Sequence, residues 1–226
     1  MIKSPDLRIH LDSLRFSKSD RGVRLISLLS AAIAISNPDL IKAILQYMQE
    51  AKIRTRTIYE TILQSYLFLG FPRTIEAILV YYEVYGSFRG KADLKEISRR
   101  EVEQWFSEGT RLCRRIYGKN YERLKGKILT VSPDIFRWII IEAYGKVLSR
   151  PGMTQREREL AGVSTLIVER RERQLVSHIM GSINVGAKFP LLHRIIEDIE
   201  PLAGARAAKM ADKITNMIEK KYEIKK

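Results

Sequence analysis

Cysteine is almost absent from this chain: among 226 residues there is one, Cys113. One cysteine cannot form an intrachain disulfide, and it cannot supply the paired cysteines of a structural zinc site. Long apolar runs are missing too, since the longest, residues 25–35, is interrupted by Ser27 and Ser30 and is typical of a buried helix. The first residues lack the apolar segment of a secretory signal. We therefore expect a cytoplasmic protein that does not insert into a membrane.

Acidic residues are scarce relative to basic ones: 26 Asp and Glu stand against 40 Lys and Arg, which gives a net charge of +14. Such a charge suits a nucleic acid, an anionic surface or an anionic small molecule as partner. The basic residues are spread along the chain, and no aromatic-rich RNA motif, zinc-finger spacing or basic-zipper heptad accompanies them. A solvated basic surface is the favoured interpretation, and nucleic-acid binding is kept as an alternative.

Strand patterns are nearly absent, and helical periodicity takes their place. Ser98 with Glu101 and Thr154 with Glu157 form capping boxes, and Ser132 precedes a proline at a third helix start. Apolar residues at spacings of three and four follow these starts, as in a helix with one buried face. The sequence therefore predicts an all-α fold.

Composition also predicts how the chain is divided. The predicted segments are an N-terminal tail (1–18), a first helical unit (19–85), a polar, glycine-containing linker (86–97), a second and fuller unit (98–200) and a basic amphipathic C-terminal helix (201–226). The apolar stripe of the last helix, which includes Ile214 and Met217, is too short to act as a membrane anchor. We expect that stripe to face a core or a partner subunit.

The two units are related by a weak internal repeat. Residues 19–51 align without gaps on residues 154–186 when they are shifted by 135 positions, which places Leu25 on Leu160. A helical hairpin that cannot bury its apolar face alone is expected to pair with a copy of itself. The sequence therefore predicts two related helical units in tandem.

Several short motifs in the second half point to one family. They are Arg115–Gly118, Ser132–Asp134, Ala143–Met153, Arg156–Leu160 and His178–Gly186. Together they resemble the carboxymuconolactone decarboxylase and alkylhydroperoxidase D-like family, and residues 59–77, with the turn Gly70-Phe71-Pro72, resemble its closing helix. The resemblance implies an all-α fold of helical hairpins and a homo-oligomer, either a trimer or a hexamer.

One of the two chemistries in that family depends on cysteines that this chain lacks. The peroxidase branch has a glutamate, two cysteines and a histidine in that order. Here Glu159 and His178 occupy the outer positions, whereas Arg171 and Gln174 stand in place of the cysteines. A dithiol peroxidase needs one thiolate to attack the peroxide and a second thiol to resolve the sulfenic acid. The sequence therefore argues against thiol peroxidase activity.

The other chemistry, decarboxylation, does not use the cysteines. The resemblance implies a lyase without metal or organic cofactor that acts on a small anionic lactone or a keto or enol acid. His178 would be the general acid/base, a role that suits a side chain titrating near neutrality, and Glu159 would orient it or share its proton. Arg150 and Arg171 would bind the substrate carboxylate, and Gln174 would hydrogen-bond to the substrate.

A non-catalytic interpretation stays open beside the enzymatic one. An oligomeric scaffold or small-molecule binder of the same family would keep the fold without the chemistry. The predicted repeat fits such a loss, since it places Arg24 and Ala43 opposite Glu159 and His178. Glu159 also lies near the start of its helix, where an acid favours the helix dipole without any catalytic role.

Overall fold

The computed structural model describes residues 4–17, 19–87 and 96–224, and over these ranges the chain is helical and contains no strand. The prediction of an all-α fold is confirmed. The helices are α1 (Ser4–Ser13), α2 (Arg21–Ile35), α3 (Pro38–Glu50), α4 (Thr55–Tyr85), α5 (Arg99–Tyr117), α6 (Tyr121–Val131), α7 (Pro133–Trp138), α8 (Gln155–Val168), α9 (Glu172–Asn184), α10 (Phe189–Ala203) and α11 (Ala205–Glu223). A 3₁₀ turn, Gly118–Asn120, precedes α6, and a π-helix, Ile139–Val147, continues α7.

The helix starts lie where the sequence predicts them. Ser98 accepts a hydrogen bond from the backbone N–H of Glu101 at 3.2 Å, and Thr154 accepts one from Glu157 at 3.2 Å. Each glutamate accepts in return from the backbone N–H of its cap residue. Ser132 caps α7 by accepting a hydrogen bond from the backbone N–H of Ile135 at 3.3 Å. These bonds satisfy backbone N–H groups that the first turn of a helix leaves unpartnered.

Packing divides the chain into two compact units. The larger unit comprises Met1–Phe88 together with Gly152–Lys226, and the smaller comprises Arg89–Pro151. These boundaries differ from the predicted domains, because α8 to α11 share one hydrophobic core with α1 to α4. The predicted linker, residues 86–97, lies largely outside the described residues.

The smaller unit is built on the contact between α5 and the π-helix. The sequence predicts one α-helix from Pro133 to about residue 150, but regular α-helical geometry ends at Trp138. The two backbones touch at Gly109 and Gly145, where an added Cβ would lie 2.0 Å from a carbonyl oxygen of the facing helix. Only glycine permits this approach.

The larger unit contains two copies of a four-helix motif, and three pairs of unusual backbone angles set their register. Positive φ angles occur at Ser36, Lys52 and Gly70 in the first copy and at Arg170, Gly186 and Gly204 in the second. The members of each pair (36 and 170, 52 and 186, 70 and 204) are 134 positions apart. Residues other than glycine rarely adopt positive φ, so matched positions mark equivalent turns.

The helix bounds agree with this register. α2 and α3 correspond to α8 and α9, and α4 is broken at Gly70 (φ 74°, ψ 174°) into segments 55–69 and 71–85. These segments correspond to α10 and α11, which meet at Gly204 (φ 86°, ψ 151°). We call residues 21–85 the first repeat and residues 155–223 the second repeat. The alignment predicted from sequence, with a shift of 135, is therefore wrong by one residue.

The first helices of the two repeats, α2 and α8, pack against each other, and both contact α4 and α10. Each is buried along nearly its whole length. A helix surrounded by other helices needs apolar residues on every face, which explains the apolar run in residues 25–35.

Both ends of the described chain are helical and join this core. In the predicted N-terminal tail, α1 packs on α3 and buries Leu7 and Leu11 completely. The predicted C-terminal helix forms as α11, with Ile214 and Ile218 in the core of its own chain. Met217, which the sequence assigns to the same stripe, is instead 43% exposed.

Candidate active site: a glutamate–histidine pair

Glu159 and His178 meet between the first two helices of the second repeat. The capping box at Thr154 starts α8 and places Glu159 on its second turn, while His178 lies in the middle of α9. The Nδ1 atom of His178 lies 2.9 Å from Oε2 of Glu159. The glutamate side chain is 2% exposed and the histidine side chain 13%. The structure thus brings together the two residues that the sequence predicts as catalytic.

The hydrogen bond assigns different roles to the two ring nitrogens. When the carboxylate of Glu159 is ionised it can only accept, and the Nδ1–H group of His178 then donates the hydrogen bond. The Nε2 atom is then the nitrogen that can take up or release a proton. A carboxylate that fixes the tautomer and orientation of a histidine is a recurring arrangement in general acid/base catalysis.

Two further residues shape this pair, and sequence analysis missed both. The ring of Phe68, on α4, meets the ring of His178 edge to face with centroids 5.4 Å apart. Gly162, one turn after Glu159, leaves room for both rings: an added Cβ would lie 3.0 Å from Phe68 and 3.4 Å from Nδ1 of His178. A glycine inside a helical pattern is the signal that points to such a close approach.

Two of the residues predicted to bind substrate, Arg171 and Gln174, are exposed at the start of α9. Arg171 occupies the N-cap position of α9, its side chain is 67% exposed, and its guanidinium lies 3.9 Å from the carboxylate of Glu169. Gln174 is also exposed. Arg171, Gln174 and His178 nevertheless have the spacing of one helix face, and the helical rise places Arg171 roughly 10 Å from His178 along the axis. Arg150 belongs to the smaller compact unit.

The first repeat has no such pair. The register of 134 places Leu25 and Ile44 at the positions of Glu159 and His178, and both are completely buried. The predicted correspondence with Arg24 and Ala43 is wrong because it rests on the shift of 135. The expectation that the first repeat has no glutamate–histidine pair of its own holds in the corrected register.

Arg24 instead corresponds to Arg158, and both arginines are buried, at 5% and 2% exposed. Arg24 forms two hydrogen bonds of 2.6 Å with Asp198 on α10. Arg158 bonds to Gln64 at 3.2 Å and Glu60 at 3.1 Å on α4. Asp198 and Gln64 are themselves equivalent positions. In each repeat, therefore, one arginine forms hydrogen bonds with the third helix of the other repeat. These polar contacts fix how the two repeats pair, and sequence analysis missed them.

His193 has partners that exclude it from a similar role. Its Nδ1 lies 3.0 Å from Asp212 and its Nε2 3.1 Å from Glu219, both on α11. Burial lowers the pKa of His193, but the hydrogen bonds to the two carboxylates outweigh burial and the pKa is raised. Because each ring nitrogen is hydrogen-bonded to a carboxylate, the ring links α10 to α11 and has no nitrogen left to bond to a substrate.

Across residues 4–17, 19–87 and 96–224, no three side chains of His, Cys, Asp or Glu are placed to hold a metal ion. Over the same ranges, no helix combines the length and the apolar character needed to cross a membrane.

A scan of the chain against models of protein families gives no match, and a search of the curated proteins gives none.

Proposed function

We propose that this chain is a carboxymuconolactone decarboxylase-like protein that uses His178 as a general acid/base on a small anionic lactone or a keto or enol acid. The observation that carries the proposal is the 2.9 Å hydrogen bond between Glu159 and His178. The first repeat supports it too, because the same four helices form there with leucine and isoleucine in place of the pair. The fold does not require a buried glutamate and histidine at these positions.

The pair suits the proton transfer that a decarboxylation needs. The bond to the carboxylate group breaks, carbon dioxide leaves, and the electron pair remains on the substrate as an enolate. Protonated His178 then delivers the proton on Nε2 to the substrate carbon, while Glu159 stabilises the positive charge on the ring through Nδ1. A proton taken up from solvent restores the imidazolium, so each turnover consumes one proton for each carbon dioxide released. The step needs neither a metal nor an organic cofactor.

Arg171, at the N-cap position of α9, would favour an anionic substrate. Arg171 and Gln174 precede His178 on one face of the helix and would hold a carboxylate at a distance from the reacting carbon. Assembly into a trimer or hexamer belongs to the same proposal.

The proposal is tested by decarboxylation of γ-carboxymuconolactone, followed by ultraviolet absorbance. We expect His178→Ala to lower kcat by about 10² to 10⁴-fold, since general acid/base catalysis contributes that much. His193→Gln is the matched control, because it removes a histidine from the same repeat outside the pair. No turnover by the unsubstituted protein of this lactone, or of related keto and enol acids, would refute the enzymatic proposal.

A second candidate is a non-catalytic oligomer of the same fold. The buried pair of Arg24 and Asp198 favours it, because this molecule already uses a buried ionic contact to join helices. In that case Glu159 and His178 would serve only to hold α8 against α9. His178→Ala would then lower stability and leave every ligand-binding signal unchanged.

A further inference from the structure

The second segment of α4, residues 71–85, exposes a continuous apolar stripe. Phe71, Ile75, Leu79 and Tyr82 are 67%, 52%, 59% and 61% exposed. Their spacing of four, four and three residues places them on one side of the helix. We call these four residues the α4 stripe. The ring of Phe71 is held in place, because Tyr66 stacks on it with centroids 5.3 Å apart.

The fold itself does not explain the α4 stripe. The other face of this segment already contributes Ala77, Val80 and Tyr81 to the core. In the second repeat, the positions equivalent to the stripe are Ala205, Lys209, Lys213 and Asn216, and all four are exposed. The same helix in the same surroundings is therefore solvated in one repeat and apolar in the other. A large exposed apolar patch on a soluble protein marks an interaction site.

The order of residues in the stripe indicates its partner. From one end to the other it reads aromatic, aliphatic, aliphatic, aromatic, and it is nearly symmetric about position 77. Two such helices that run antiparallel place Phe71 opposite Tyr82 and Ile75 opposite Leu79. In a two-fold interface the same patch serves both subunits, and this order then places aromatic against aromatic and aliphatic against aliphatic side chains.

The edge of the stripe is polar, as expected around the centre of an interface. Glu83 lies 2.9 Å from Lys42 and Glu76 accepts a hydrogen bond from Ser36, so both acids are paired within their own chain. The four stripe side chains expose roughly 400 Å², about half of what each partner contributes to a standard interface. The surrounding polar residues would supply the rest.

We infer that the α4 stripe is the contact surface for a second copy of this chain, with the two α4 segments antiparallel about a two-fold axis. This contact is independent of the proposed chemistry at His178. A two-fold contact gives a dimer, or a hexamer made of dimers, and it excludes a closed trimer as the complete assembly.

Sedimentation velocity over a range of concentrations tests the contact. We expect the unsubstituted chain to sediment as an even-numbered oligomer. Ile75→Lys and Leu79→Glu should each weaken association by about tenfold or more, since each removes an aliphatic side chain from the proposed interface and places a charge there. The matched control is Lys209→Glu with Lys213→Glu, which changes the equivalent face of α11 and should leave association unchanged. Helical circular dichroism verifies that each variant is folded.

Mixing the two variants tests the antiparallel register. Position 75 of one copy faces position 79 of the other, so the Ile75→Lys and Leu79→Glu chains together form an oppositely charged pair. We expect the mixture to associate more strongly than either variant alone. A monomer at every concentration, or association unchanged in both variants, would overturn the inference.

Discussion

The two repeats of the larger unit share their helices and turns but differ in their polar residues. Three pairs of positive φ angles, each 134 positions apart, align them along the chain. At equivalent positions the first repeat has Leu25 and Ile44 where the second has Glu159 and His178. The comparison separates what the fold requires, which both repeats have, from what one repeat has in addition.

The side-chain contacts between the last two helical segments of each repeat differ in the same way. In the first repeat, Tyr81 stacks on Tyr85 with centroids 4.9 Å apart, and Tyr59 meets Tyr81 edge to face. In the second repeat, His193 occupies the position of Tyr59 and bonds to two carboxylates. Aromatic packing and charge thus perform the same structural task in the two copies.

The largest effect is expected at the exchanged arginines. Asp198→Ala leaves Arg24 buried without its ionic partner, which costs about 3 to 5 kcal/mol of unfolding free energy. The equivalent change, Gln64→Ala, should cost about 1 to 2 kcal/mol, because Arg158 retains Glu60. Urea denaturation of both variants measures the difference. Equal losses of unfolding free energy in the two variants would contradict the conclusion that Arg24 depends more strongly than Arg158 on a single partner.

The catalytic pair can be replaced by its counterpart from the first repeat. His178→Ile alone leaves the carboxylate of Glu159 buried and unpaired, and should cost about 3 kcal/mol. Adding Glu159→Leu should recover most of that loss, since apolar residues of similar volume often replace a buried ionic pair without cost. Unfolding free energies of the single and double variants provide the test. If the double variant were less stable than the single one, the pair would be required by the fold.

The matched glycines should behave alike. Gly70 and Gly204 combine positive φ with extended ψ, a conformation close to glycine-only, so alanine at either should cost about 1 to 3 kcal/mol. Gly126 is a control, because it lies exposed within α6 with open space around it. Alanine there should stabilise the helix by about 0.5 to 1 kcal/mol. Thermal unfolding of the three variants compares them, and a neutral Gly204→Ala would break the equivalence.

The smallest effect is a dependence of stability on pH from His193. Its pKa is raised in the folded state, so its contribution is complete below the ordinary value and is lost as pH rises through the folded value. We expect a loss of about 1 kcal/mol, limited by the half-exposed Asp212. Burial raises the pKa of Tyr85, which stays neutral over this range. His193→Gln should therefore remove the slope measured by urea denaturation between pH 6 and pH 8, and Tyr85→Phe should leave it unchanged.

Local signals in the sequence predicted much of the fold. Caps at Ser98, Ser132 and Thr154 fixed three helix starts, because a side chain that bonds to the first free N–H groups acts within a few residues. The family resemblance of short motifs likewise singled out Glu159 and His178, which the structure brings into contact. Both depend on short stretches of chain.

Features that depend on distant residues were not predicted. Apolar residues recur every three or four positions in any amphipathic helix, so the sequence could not distinguish a shift of 134 from one of 135. The partners of Arg24 and Arg158 lie in helices far along the chain, and nothing local to either arginine identifies them. The exposure of the α4 stripe was not predicted, because a buried and an exposed apolar helix face give the same periodic pattern in the sequence.

The most direct test measures turnover in the double variant Glu159→Leu with His178→Ile, which gives the second repeat the residues of the first. We predict that the unsubstituted protein decarboxylates γ-carboxymuconolactone or a related keto or enol acid, and that the folded double variant does not. Equal turnover in the two proteins would contradict a role for the pair, and absence of turnover in both would contradict the proposed chemistry.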